Sequence, residues 1–68
     1  MNCWWPVEVE REYPSRQVKV SVLSPVEAEE RPSEVVVQAF GLFLLTRWYP
    51  TQKDAERVRK YYLKNYER

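Results

Sequence analysis

Residues 34–49 read EVVVQAFGLFLLTRWY, and the reading of this stretch decides the fold. Three consecutive valines and several aromatic side chains favour extended backbone, because branched and aromatic groups pack well on a pleated surface. Both alternating faces are apolar through the middle, the pattern of a central strand buried on two sides. Gly41 leaves a second reading open. It marks a bulge or bend, or it closes a tight turn at Phe40 and Gly41 that splits the stretch into two strands. A buried helix is a further reading, for which a 68-residue chain has little material to surround it.

Toward the N-terminus, residues 7–13 (VEVEREY) alternate with a period of two. Val7, Val9, Arg11 and Tyr13 share one face, and Glu8, Glu10 and Glu12 the other. Residues 17–22 (QVKVSV) alternate in the same way, and Pro14 with Ser15 forms a turn between the two runs. Folded as a hairpin, they place Val9 opposite Val20, Val7 opposite Val22 and Glu10 opposite Lys19. A slip of one residue would set valines against glutamates. Proline suits a primed two-residue turn poorly, so a four-residue loop of the same register is the alternative.

Residues 24–31 (SPVEAEER) carry a helix-start signature, with Ser at the N-cap, Pro in the first turn and Glu three residues after the Ser. Only Val26 and Ala28 are apolar, so the segment reads as a short surface helix or an ordered acidic loop. Toward the C-terminus, Pro50 ends the strand and Thr51 caps a helix, with Asp54 in the near-capping-box position. Ala55, Val58, Tyr62 and Tyr66 make its apolar stripe, with Leu63 on the flank.

The expected fold is α+β: a small antiparallel sheet of three to four strands packed by a C-terminal helix, in the order β-β-(short α or loop)-β-α. Residues 1–68 are expected to form one small domain. The expected core is Val7, Val9, Val18, Val20, Val22, Val35, Val37, Phe40, Leu42, Leu44, Ala55, Val58 and Tyr62.

Composition narrows the function classes. The single cysteine, Cys3, has no partner for an internal bridge and suits a reducing, intracellular, cytoplasmic setting. Histidine is absent, which argues against zinc and against proton shuttling near neutral pH. No phosphate-cradling glycine loop or nucleophile motif is present. The glutamate row at positions 8, 10 and 12 reads as a solvated strand face. We therefore expect no catalytic residues, no metal, no cofactor and no small-molecule substrate. The longest apolar run is shorter than the roughly 20 residues of a membrane helix. High Glu, Arg and Val with a single glycine suit a heat-adapted protein.

Net charge is +1 but polarised: residues 1–34 carry seven acids and four bases, and residues 35–68 carry three acids and seven bases. In the C-terminal helix, Lys53, Arg57, Lys60, Lys64 and Arg68 fall in one narrow sector opposite the apolar stripe. Such a ridge matches a line of phosphates, with Tyr61 beside it to stack on a base and Arg59 to assist. The plainer reading is the solvated side of an amphipathic helix, since Lys and Arg are good helix formers. The leading expectation is a non-catalytic module that binds DNA or RNA through this ridge. The alternative is a protein-interaction module, a homodimer or an adaptor or inhibitor of a larger partner, with Trp4, Trp5, Phe43, Trp48 and Tyr49 as anchors. Residues 47–58, RWYPTQKDAERV, loosely resemble the strand-to-helix step of integrase arm-type domains. That resemblance implies a three-stranded sheet with one helix and DNA binding. The glycines such domains use between strands are missing, and no family is assigned.

Overall fold

The computed structural model describes residues 2–13 and 17–66, with the side chain of Tyr66 left out. Five strands and one helix follow in the order β1 (Asn2–Glu12), β2 (Val18–Val22), β3 (Val26–Ala28), β4 (Val35–Ala39), β5 (Leu42–Tyr49) and α1 (Gln52–Tyr66). All pairings are antiparallel. The strand order is β2-β1-β5-β4, with β3 paired to the start of β1. This is an α+β fold, an antiparallel sheet packed by a C-terminal helix.

The β1–β2 register matches the alternation: Val7 faces Val22, Val9 faces Val20 and Glu10 faces Lys19. The turn at Pro14 and Ser15 lies outside the described residues. Residues 24–31 are a correction, because neither the helix nor a pure loop forms: Val26–Ala28 is a strand on β1. From Val22 to Val26 the chain advances four residues while its partners run three, from Val7 to Trp4. The extra residue is a bulge, and Pro25 sits within it, where no ladder donor is needed. The helix signal loses because two apolar residues cannot bury a helical face. The free edge of β1 offers a backbone ladder instead, and the Trp4 indole N–H donates to the Ala28 carbonyl at 3.0 Å.

Residues 34–49 resolve into a hairpin rather than one strand. Ala39 pairs with Leu42 across a two-residue loop, in which Phe40 has φ 51° and Gly41 φ 80°. Two left-handed residues in succession are the signature of a type I′ turn, whose twist suits a hairpin. Gly41 also closes against the end of β1, its carbonyl accepting the Tyr13 N–H at 2.7 Å.

α1 begins as expected, with the Thr51 hydroxyl accepting the Asp54 N–H at 3.1 Å. It buries Ala55 and Tyr62 against Val7, Val9, Val20 and Leu45. Val18, Val22, Val58, Leu63, Trp5, Phe43 and Tyr49 pack around that cluster. Five expected core residues are misplaced in phase or position. Val35 and Val37 are each 43 % exposed and Phe40 is fully exposed. Leu44 is half-buried on the far face, and its neighbour Leu45 takes the core position. Leu42 is also half-buried on that far face. Val35, Val37, Leu42 and Leu44 share a cause: they point to the sheet face opposite α1, while Phe40 stands in the hairpin loop.

Candidate interaction surfaces

Pairing assigns every strand residue to a face. Val7, Val9, Val20, Leu45 and Phe43 face α1, together with Val36 and Gln38 of β4. The opposite, open face carries Glu8, Glu10 and Glu12 on β1, Leu42, Leu44, Thr46 and Trp48 on β5, and Val35, Val37 and Ala39 on β4. It is therefore acidic on one side and apolar on the other. A helix is roughly 10 Å across and strands lie about 4.8 Å apart, so one helix covers about two strands. The sheet is wider than its cover.

The uncovered part is apolar. Val35, Val36 and Val37 are 43–54 % exposed, and Phe40 stands free at the hairpin tip. A phenylalanine with positive φ is strained by about 1–2 kcal/mol, since its Cβ crowds the following carbonyl. Residues 35–46 contain no ionisable side chain. Beside the tip, on the helix side, lies an open groove of about 550 Å³ whose walls include Val9, Val18, Gln38, Phe40 and Phe43.

The aromatic anchors expected from sequence are placed differently. Trp4, Trp5, Phe43, Trp48 and Tyr49 are all half-buried in the chain's own packing. The Arg31 guanidinium lies 5.3 Å from the centre of the Trp4 ring, over its face. Trp48 Nε1 is buried and has no hydrogen-bond partner among the described residues. The exposed apolar residues that lie together are instead Val35, Val36, Val37 and Phe40, of which Val35, Val37 and Phe40 were expected in the core. Their signal was the absence of charge and proline from the run.

The basic ridge sits on the outer side of α1. Lys53, Arg57, Lys60 and Lys64 are exposed, and none makes an ion pair among the described residues. Tyr61 is 63 % exposed and meets Tyr62 edge to face, with ring centres 6.0 Å apart. Arg68 lies outside the described residues. Arg59 turns toward the sheet, where its Nε donates to the Val20 carbonyl at 3.1 Å while Glu56 lies 3.8 Å away. It ties α1 to β2 rather than lining the ridge.

Between the two surfaces, Arg47 joins the helix to the start of β4. It donates to the Tyr62 hydroxyl at 3.1 Å and pairs with Glu34 at 3.1 Å. The bond to Glu34 raises the guanidinium pKa further above its usual value. Burial pushes the Tyr49 hydroxyl above the usual tyrosine range, with Tyr62 adding to the effect.

Among the described residues, no cluster of His, Cys, Asp or Glu is arranged to hold a metal ion, and Cys3 is exposed and free. No described helix is long and apolar enough to cross a membrane. No protein-family model matches the chain, and no curated protein or solved structure matches it significantly.

Proposed function

We propose that this protein is a non-catalytic binding module that engages protein through the uncovered half of its sheet. The observation that carries this is the charge-free run of residues 35–46, with its valines on an unshielded edge strand and Phe40 fully exposed. Apolar residues left together on a small surface mark contact sites, and exposed aromatics are favoured anchors. A photo-crosslinker at position 36 or 40, expressed in the source cells, tests the idea. Protein adducts from these positions, with none from a crosslinker at Glu8, are expected. No adduct from either position removes the reading.

A second reading is favoured by a different observation, the four exposed bases on the outer side of α1 that make no ion pair among the described residues. In it the ridge binds DNA or RNA through phosphates. Titration with a mixed duplex and a structured RNA at two salt concentrations is the test. Replacing Arg57 and Lys60 with Gln should reduce the salt slope by about 2. Binding that ignores salt, or is absent at low salt, ends this reading.

A further inference from the structure

We infer that the β4 edge pairs with β4 of a second copy of this chain, across a two-fold axis at Val37, to make one continuous antiparallel sheet. The inference rests on the reading of β4 as a contact surface and names its partner.

The argument begins with backbone groups. Ala39 and Leu42 close a two-residue hairpin, so they exchange both backbone hydrogen bonds. Alternation then gives Val37 and Val35 the inward bonds to β5. Val36 and Gln38 direct their N–H and C=O groups out of the sheet. A two-fold axis at Val37 sets Val36 opposite Gln38 of the other copy, so the outward groups of each meet the outward groups of its mate. Val37 then faces Val37, and Val35 faces Ala39. The open-face apolar stripe of Leu42, Leu44, Val35 and Val37 continues unbroken into the second copy.

Charge and area both select a second copy. Self-apposition brings like charges together wherever a surface carries them, and β4 carries none. A charged partner would gain nothing from residues 35–46. Edge strands that stay unpaired are normally blunted by lysine, proline or a bulge. The opposite edge has these guards: Lys19 on β2 and the bulge at Pro25. β4 has none of the three. Five paired residues per copy, with Phe40 set beside residues 32–34 of the other, give a contact near the small end of stable interfaces, about 600 Å² per partner. That is roughly a ninth of the 5436 Å² chain surface. The axis runs normal to the sheet, so both α1 helices lie on one face and both glutamate rows on the other.

Sedimentation or light scattering of the full chain over a hundredfold concentration range is the test. The expected result is a mass rising to twice 8.3 kDa. Two variants separate pairing from folding. Val36→Lys places a charge on the contact, and Val36→Pro removes an outward N–H that β5 does not use. Both should remain monomeric with unchanged circular dichroism. A wild-type monomer at every concentration overturns the inference, and so does a dimer that both variants leave intact. Crosslinks from position 36 to a different protein, beside a monomeric mass, would overturn self-pairing while leaving the contact surface standing.

Discussion

The two halves of the sheet are built from similar residues and treated in opposite ways. β2 and β1 lie under α1, and Val7, Val9 and Val20 are 1–6 % exposed where they meet Ala55 and Tyr62. β4 holds three valines in a row, yet no helix reaches it. Hydrophobicity alone therefore did not decide burial. Position did: Val36 lies on a strand beyond the reach of α1, and Val35 and Val37 point to the face that carries no helix.

The contrast is broken most directly by truncation. Val7→Ala, at a position 1 % exposed, should destabilise the chain by about 2–3 kcal/mol through lost transfer energy and an unfilled cavity. Val36→Ala, at a position 54 % exposed, should change stability by about 0.5 kcal/mol or less in dilute monomeric protein. Urea unfolding of both variants measures the difference. Equal effects would mean that the two halves are not energetically distinct.

A smaller effect of opposite sign is expected at the tip. Phe40→Asn places the favoured Asn-Gly pair in the type I′ turn and should stabilise dilute protein by about 1 kcal/mol. A loss in the same urea measurement would mean that Phe40 packs within its own chain.

The smallest effect belongs to pH. The folded pKa of Tyr49 lies above 10.0 because burial disfavours the phenolate. The unfolded chain therefore releases this proton first as pH rises. The contribution is fully present below about pH 10 and is lost as pH climbs through the folded value. Tyr49→Phe should flatten that alkaline loss, seen as a midpoint in urea that varies less with pH. An unchanged slope would assign it to other groups.

What could be read from the sequence follows the same division. The β1–β2 hairpin was legible to the residue because glutamates alternate with valines, leaving one register that satisfies both faces. α1 was legible through its cap and its stripe, and so was the exposure of Lys53, Arg57, Lys60 and Lys64. In residues 34–49 both faces are apolar, so alternation carried no phase, and Leu44 and Leu45 were interchanged. β3 escaped because its partner, the start of β1, lies more than twenty residues away in the chain. Edge status is equally nonlocal. Nothing inside VVVQA states that the fourth strand is the last one in the sheet.

The bulge at Pro25 has one more consequence. A sheet with two bare edges adds subunits without limit, and each addition presents a fresh growing end. Here one edge is shut and the other is open. Joining two open edges leaves a particle whose outer margins are both shut, so growth terminates after a single event. Three adjacent valines can then be displayed by this chain without seeding a fibre.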